Sequence, residues 1–375
     1  MEISADFDGG NIEVVAVDAG GEGRNAARLA IRKDGRADFR QWFFFKVSGT
    51  PGEAWSFEIE NAGASSYPRG WEGYDVVVST EGPGGAPESW TRVPARYADG
   101  RLSWSFASAS GEAWFAYFAP YQTARNRALV ARCAADPRVR HESLGASLEG
   151  RPLDLLSLGD GPQPIWVIAR QHPGETMASW AVEGLLERLL DPLDAVSRRL
   201  LAEATLHVVP LMNPDGAAAG HIRTNAAGTD LNRAWRNASA EASPEVFFVR
   251  ERMRQTGVSL FLDIHGDEGL PYCFLVDADN VPSVTPEMIA RRERFATVLE
   301  QADPDFQTEH GYPKTPNANL DIGSKWVAEE FRCLSMTLEQ PFKDCANSPV
   351  PTLGWSPERC RRLGAACLTA ALAAL

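Results

Sequence analysis

Residues 165–175 read IWVIARQHPGE, and this stretch decides the fold class of the chain. Its first five residues are all apolar, which is typical of a strand that is buried on both faces. A tight turn follows at once, because Pro173 and Gly174 both favour turns. A buried strand that ends in a polar turn indicates a parallel sheet, which carries its ligands at the carboxyl ends of its strands.

The same pattern extends along the chain from this stretch. Further apolar runs predict strands at 206–211, 260–264 and 335–338. The residues between them include a predicted helix that Thr176 can N-cap and that Asp191 and Pro192 end. Strands that alternate with helices predict an α/β domain with a mostly parallel sheet flanked by helices. We expect this domain to cover residues 119–375.

The first third of the chain has a different pattern. The aromatic run QWFFFKV at 41–47 and the alternation of polar and apolar residues at 101–106 (RLSWSF) are typical of strands. Segments rich in Gly and Pro separate them, as expected of turns. Several short strands at this spacing predict an antiparallel β-sandwich, which we place at residues 1–118.

The composition excludes several classes of function. The 375 residues are 44% hydrophobic, which is enough for a packed core and excludes a disordered chain. Lys and Arg number 37 against 50 Asp and Glu, so the net charge is −13. We therefore expect no nucleic-acid partner and no membrane partner, although a small basic pocket for an acidic ligand is compatible with this charge.

The termini and the cysteines indicate a cytoplasmic protein. Residues 1–10 have neither the basic nor the apolar region of a signal peptide, and the apolar tail after Arg362 is too short to span a bilayer. The six cysteines are scattered without a Cys-x-x-Cys pair, so we expect buried, reduced thiols. The sequence leaves open whether the chain forms a homo-oligomer.

His172 and Glu175 stand three residues apart in the turn QHPGE, where an imidazole and a carboxylate can face one point. Both are good zinc ligands, although an isolated H-x-x-E also occurs in ordinary surface loops. His265 directly follows the predicted strand 260–264 and so reaches the same edge of the sheet. Three ligands with one open position predict one catalytic zinc ion per chain, although two histidines and a carboxylate also suit non-haem iron.

A second group of polar residues follows the strand at 206–211. The turn NPDG leads to Arg223 and then to the motif DLNR, which contains Asp230, Asn232 and Arg233. The last two side chains suit a small carboxylate, and Arg223 suits a carbonyl oxygen. Asp230 suits the second ring N–H of a metal-bound histidine. The alternative is that these are solvated side chains after an ordinary turn.

Glu339, in the segment MTLEQPF, ends the last predicted strand. A carboxylate that emerges from a buried strand is not a typical solvated glutamate. Beside a metal-activated water it would act as a general base, although an isolated glutamate at this position more often has a structural role.

Taken in this order, the motifs HPGE, NPDG, GTDLNRAW, DIHGDE and TLEQPF resemble the zinc metallocarboxypeptidases. They are most similar to the cytosolic carboxypeptidase subfamily of bacterial type, which carries a β-sandwich before its catalytic domain. The segments SYPRGWEGY, WTRVPARY and WFAYFAPY resemble that sandwich. The resemblance covers most of the chain and implies a carboxypeptidase-like mixed, mostly parallel sheet behind the N-terminal domain.

The resemblance also implies a role for each residue of the motifs. Glu339 is the general base and then the general acid, and Arg223 polarises the scissile carbonyl. Asp230 orients one of the zinc-binding histidines. The implied zinc ligands are His172, Glu175 and His265. The residues implied to bind the terminal carboxylate of a peptide or protein tail are Asn232 and Arg233.

Two positions fit the subfamily less directly. The family covers its substrate with a mobile tyrosine, and Tyr312 is the nearest tyrosine upstream of Glu339, although farther from it than the family pattern implies. Cytosolic carboxypeptidases tend to prefer acidic C-terminal residues, and Lys325 stands at a suitable separation from Glu339 to select them. The alternative for Lys325 is a solvated lysine in a turn.

Two other functions are compatible with the same motifs. A zinc amidohydrolase that acts on small acyl-amino acids or cell-wall peptides can retain H-x-x-E and D-x-N-R, although the N-terminal sandwich argues against it. A non-catalytic module that binds acidic C-termini can retain the pocket. Glu339 argues against such a module, because binding alone needs no base.

Overall fold

The computed structural model describes residues 1–20 and 24–375. The N-terminal domain contains ten strands in two five-stranded sheets. The strands are β1 (Glu2–Ser4), β2 (Glu13–Gly20), β3 (Arg24–Ala30), β4 (Phe44–Ser48), β5 (Ala54–Ile59), β6 (Val76–Ser79), β7 (Thr91–Val93), β8 (Ala95–Ala98), β9 (Arg101–Ala107) and β10 (Glu112–Ala116). Their orders are β1-β4-β10-β6-β7 and β2-β3-β5-β9-β8.

The predicted antiparallel sandwich is confirmed, with one parallel pairing. β3 and β5 run parallel, because the strand between them in sequence, β4, belongs to the opposite sheet. The aromatic run that predicted a strand fills the space between the sheets. Phe45 packs on Phe57 and Phe115, with ring centroids 6.0 and 5.4 Å apart, and all three are buried.

The second domain is built around one seven-stranded sheet with the order β11-β12-β14-β13-β15-β17-β16. The strands are β11 (Arg140–Ala146), β12 (Pro152–Leu158), β13 (Gln163–Ala169), β14 (Ala204–Val209), β15 (Leu260–Ile264), β16 (Phe274–Val276) and β17 (Leu334–Glu339). The central strands β14, β13, β15 and β17 pair in parallel, and the outer strands pair antiparallel. The predicted mixed sheet is therefore confirmed.

The described residues form eight α-helices, all of them in this second domain. They are α1 (Thr123–Ala134), α2 (Thr176–Leu190), α3 (Ala195–Glu203), α4 (Pro214–Ala219), α5 (Pro244–Thr256), α6 (Pro286–Ala302), α7 (Gly323–Phe331) and α8 (Pro357–Ala374). Alternate residues of β13 point to opposite cores. Ile165 and Val167 join the core that contains α2 and α8, whereas Trp166 and Ile168 join the core that contains α5 and α7. This explains why the strand is apolar throughout.

One hydrophobic core continues from the sandwich into the second domain. Tyr117 stacks on Phe342, with ring centroids 4.3 Å apart. Arg92 of β7 donates hydrogen bonds to the carbonyl oxygens of Phe342 and Trp355, at 2.7 and 3.1 Å. Because the core crosses it, the boundary at residue 118 stays a prediction.

The expectation of buried thiols is confirmed, since all six cysteines are buried and unpaired. None of the helices in residues 1–20 and 24–375 has the length and apolar character needed to cross a membrane. The cytoplasmic location stays a prediction.

Candidate active site and metal centre

The structure brings His172, Glu175 and His265 together at the carboxyl edge of the sheet. His172 and Glu175 follow β13, and His265 follows the adjacent strand β15. Nδ1 of His172 lies 2.7 Å from Oε1 of Glu175, and Nδ1 of His265 lies 2.8 Å from Oε2. The two Nδ1 atoms are 3.2 Å apart. Three buried ligand atoms thus lie within 4.8 Å of one another.

The turn that carries His172 and Glu175 is fixed by its own sequence. Arg170, at the end of β13, has the left-handed φ of 61° and is buried. Its Nε donates to the carbonyl oxygen of Pro173 at 2.8 Å, which closes the turn. Gly174 lies so close to the backbone of Ile222 that a Cβ would approach it to 2.9 Å. A larger residue here would displace the turn.

Carboxylates hold the outer nitrogens of both histidines. Nε2 of His172 lies 3.1 Å from Asp230, as the sequence predicts, and Nε2 of His265 lies 3.0 Å from Asp263. Because both Nε2 atoms face acceptors, both Nδ1 atoms face the centre, where each can offer a lone pair once it loses its proton. Sequence reasoning missed Asp263. The signal was its position two residues before His265 on a fully buried strand.

The charges of the three ligands are coupled to one another and to Asp263. Burial alone would raise the pKa of Glu175, but His172 and His265 hold it well below its usual value. Burial alone would lower the pKa of His265, but Asp263 and Glu175 raise it. The two Nδ1 atoms are separated by about the ~3.3 Å expected for ligands ~2.0 Å from a tetrahedral zinc ion. The donor set and the spacing of the two nitrogens therefore fit zinc, while Glu175 lies at hydrogen-bond distance from both nitrogens.

Arg223 lies beside this cluster and is only 12% exposed at its side chain. Its Nε donates to Asp230 at 2.7 Å, and its Nη1 donates to the hydroxyl of Tyr67 at 2.7 Å. Burial alone would lower the pKa of Arg223, but Asp230 raises it. Arg223 therefore keeps its charge, and sequence reasoning missed its contact with Tyr67.

Asn232 and Arg233 follow Asp230 in a short 3-10 turn that Asp230 caps through a 3.0 Å bond from the Asn232 N–H. Asn232 is buried, and its side-chain oxygen accepts from the N–H of Gly323 at the start of α7. Arg233 is exposed, with Nη1 donating to the carbonyl oxygen of Asn232 at 2.8 Å. The turn thus presents a guanidinium to solvent beside a fixed amide.

Glu339 is the last residue of β17 and adjoins His265, whose N–H donates to the carbonyl oxygen of Leu338 at 2.8 Å. It is 8% exposed, and its Oε2 has no hydrogen-bond partner in the described part of the chain. Burial raises the pKa of Glu339 well above its usual value, and Glu175 raises it further, although His265 lowers it. The ring of Tyr312 meets that of Phe274 edge to face with centroids 5.0 Å apart, and Phe274 pairs with Glu339 across β16 and β17. Tyr312 is 47% exposed, and its role as the mobile tyrosine stays a prediction.

Lys325 lies on α7, but its ammonium is engaged outside the cluster. Nζ donates to the carbonyl oxygen of Asp277 and to Oδ1 of Asn280, the latter at 3.0 Å. Burial lowers the pKa of Lys325. Its assignment to a substrate pocket stays a prediction.

Two further acids lie next to the cluster and were not predicted as site residues. Asp267 and Glu268 follow His265 in the motif DIHGDE, and both are more than nine-tenths buried. One oxygen of each has no hydrogen-bond partner among residues 1–20 and 24–375. Burial raises the pKa of both carboxyl groups.

Comparisons with known proteins agree with this geometry. The family described as "Cytosolic carboxypeptidase N-terminal domain" matches residues 3–118, and the family described as "Zinc carboxypeptidase" matches residues 127–344. This chain belongs to the zinc carboxypeptidases. It is a peptidase of the metallo-carboxypeptidase type, and its family uses zinc, for which the three ligands above are suited.

The matches extend over whole bacterial chains. An uncharacterized protein of Zymomonas mobilis is 44% identical over 98% of this chain and 95% of its own length. A metallo-carboxypeptidase from Pseudomonas aeruginosa, solved in complex with (2-guanidinoethylmercapto)succinic acid, is 44% identical with a TM-score of 0.94, covering 99% and 98% of the two chains. A metallo-carboxypeptidase from Burkholderia cenocepacia is 41% identical with a TM-score of 0.95, covering 100% and 98%.

The match to animal relatives is partial. Human cytosolic carboxypeptidase 1 is 25% identical over 71% of this chain, which spans only 25% of the human protein. Cytosolic carboxypeptidase 6 of Caenorhabditis elegans is 26% identical over 68% of this chain and 61% of its own length.

Proposed function

We propose that this zinc carboxypeptidase removes the C-terminal residue of a peptide or protein tail, with Glu339 as its general base. The observation that carries this proposal is the buried Glu339 carboxylate beside the His172, Glu175 and His265 cluster, with one oxygen that has no partner in the described residues. Such a carboxylate is positioned to exchange a proton with a water at the cluster.

Each protein group has a separate task in the proposed reaction. Zinc, held by His172, Glu175 and His265, would polarise a carbonyl oxygen and lower the pKa of a water molecule. Glu339 takes the proton of the attacking water and returns it to the leaving amine. Arg223 has its Nε and Nη1 engaged by protein groups, so its remaining Nη2 is the nitrogen left for the oxygen that becomes negative.

Arg233 gives the enzyme its exopeptidase character in this proposal. Its guanidinium is exposed beside the buried amide of Asn232, an arrangement suited to a planar carboxylate. An internal peptide bond offers no such carboxylate. The Pseudomonas aeruginosa relative was solved with a ligand that contains a succinic acid group, which supports a carboxylate-binding site in the family.

We also propose that the enzyme prefers Glu or Asp at the C-terminus, and that Lys325 contributes to this preference. What supports it is a buried ammonium with two protein acceptors, the carbonyl of Asp277 and the amide of Asn280. A lysine ammonium has three N–H groups, so one is left for a ligand. Lys325→Ala should lower the ratio of Glu to Leu release, and exposed Lys314→Ala serves as the control. An unchanged ratio would show that Lys325 does not select the substrate.

Glu339→Gln tests the general base. The amide keeps the shape of the side chain but cannot accept a proton, so kcat should fall by about a hundredfold or more while zinc and peptide binding persist. The exposed Glu300→Gln variant is the control. Full turnover by Glu339→Gln would contradict the proposed role. Bound zinc without cleavage of peptides by the parent enzyme would favour an amidohydrolase or a binding module instead.

A further inference from the structure

The N-terminal domain reaches into the active site at the segment that carries Arg223. Asp34 of this domain is only 3% exposed. Its Oδ1 accepts the N–H of Ile222 at 2.8 Å, and its Oδ2 accepts the N–H groups of Arg223 and Thr224 at 2.9 and 2.8 Å. The hydroxyl of Thr224 adds a fourth bond at 3.0 Å. One carboxylate thus fixes three consecutive peptide groups.

The same domain also holds the end of the Arg223 side chain. The hydroxyl of Tyr67 accepts a hydrogen bond from Nη1 at 2.7 Å. Tyr67 is itself anchored, because Gln41 accepts its N–H at 3.1 Å and donates to its carbonyl oxygen at 3.2 Å. The rings of Phe39 and Tyr67 lie 5.5 and 5.9 Å from the guanidinium carbon.

These contacts restrict the Arg223 side chain to few conformations. A free arginine side chain samples many rotamers, which the protein must restrict to aim one nitrogen at a developing charge. Here the backbone is held by Asp34, Nε by Asp230 and Nη1 by Tyr67. Two of these three anchors come from the N-terminal domain.

We propose that Asp34 and Tyr67 of the N-terminal domain position Arg223 for the reaction, so that this domain is a working part of the active site. The proposal rests on the role of Arg223 in the proposed function. Both are positioning residues, because they act through Arg223. Burial and the charge of Glu268 raise the pKa of Tyr67, so its hydroxyl stays neutral and available to the guanidinium.

Tyr67→Phe tests this inference with a change that keeps the aromatic ring. We expect kcat to fall about tenfold, with KM and zinc content nearly unchanged. A loss of this size is typical when a residue that hydrogen-bonds to a catalytic side chain is removed. The matched control is Tyr97→Phe on β8, a partly exposed tyrosine of the same domain. Asp34→Asn, checked for folding by thermal unfolding, is the second variant and should lower kcat in the same direction.

A double-mutant comparison separates positioning from structural support. If Tyr67 acts through Arg223, then Tyr67→Phe should cause no further loss in an Arg223→Ala background. Equal fold-losses in both backgrounds, or a Tyr67→Phe variant as active as Tyr97→Phe, would overturn the inference. If Arg223→Ala itself keeps full kcat, the proposed role of Arg223 is wrong, which is a separate failure.

Discussion

The catalytic domain contains two clusters of charge, each built around buried carboxylates, that differ in how completely their charges are paired. In the paired cluster, formed by Asp305, Asp344, Arg359 and Arg362, Asp305 accepts two bonds from Arg359 at 2.7 and 3.0 Å and one from Arg362 at 2.8 Å. Arg359 also donates to Asp344 at 2.8 Å. Both oxygens of Asp305 therefore have partners.

The metal-edge cluster surrounds His265 and is not satisfied by protein groups alone. Its buried oxygens without a partner in the described chain are Oδ1 of Asp263, Oδ2 of Asp267, Oε1 of Glu268 and Oε2 of Glu339. An unpaired buried acceptor costs folding free energy, so such groups concentrate where a ligand supplies the missing partner. The two clusters therefore differ in how completely their carboxylates are paired and not in how deeply they are buried, since Asp305 is buried like the acids around His265.

The largest expected effect is the loss of a metal ligand. His265→Ala removes one of three ligands, so we expect zinc to be lost. Activity should fall by more than the roughly hundredfold loss that is typical when a residue hydrogen-bonded to a metal ligand is removed. Metal analysis and peptide hydrolysis check this. The control is His310→Ala, a histidine that stacks on Tyr272. Retention of one zinc ion by His265→Ala would place the metal elsewhere.

The next largest effect belongs to the paired cluster and concerns stability. Arg359→Ala leaves the buried carboxylate of Asp305 with fewer partners, so the free energy of unfolding should fall by about 3–5 kcal/mol. Arg361 lies on the same helix and pairs with Glu187, and both of these side chains are partly exposed. Arg361→Ala should lower the free energy of unfolding by less than about 1 kcal/mol. Denaturant unfolding measures both. Equal losses would mean that the paired cluster contributes no more than a surface pair.

The smallest expected effect is an increase in stability, in contrast to the loss expected for Arg359→Ala. Burial raises the pKa of Glu268, and Glu175 raises it further, so above pH ~4.3 ionisation favours the unfolded chain. Glu268→Gln should therefore raise the free energy of unfolding of the zinc-free protein by about 1 kcal/mol at pH 8, with little gain at pH 4. A loss of stability at pH 8 would show that Glu268 has a partner.

Local sequence was sufficient for the main framework of the fold and for the metal cluster. Buried parallel strands appear in the sequence as apolar runs, and polar residues at their carboxyl ends meet at one edge of the sheet. This rule predicted that His172, His265 and Glu339 lie close together. The edge strand β11 lacks this signal, because it is largely exposed and polar.

What the sequence did not reveal depends on contacts between distant segments. Asp34 and Tyr67 lie more than a hundred residues before Arg223, and no local pattern marks them as its partners. Asp263 looked like one more residue of a strand. For Lys325, separation along the chain gave a candidate position but not the direction of the ammonium, which the structure shows bonded to Asp277 and Asn280.

The most direct test of the central claim joins metal analysis to hydrolysis of peptides that differ only in the C-terminal residue, each paired with its C-terminal amide. We predict one equivalent of zinc per chain, release of the C-terminal residue, fastest for Glu or Asp, and no reaction of the amides, because Arg233 requires a free carboxylate. Protein without zinc, or amides cleaved as fast as free acids, would contradict a zinc carboxypeptidase built on these residues.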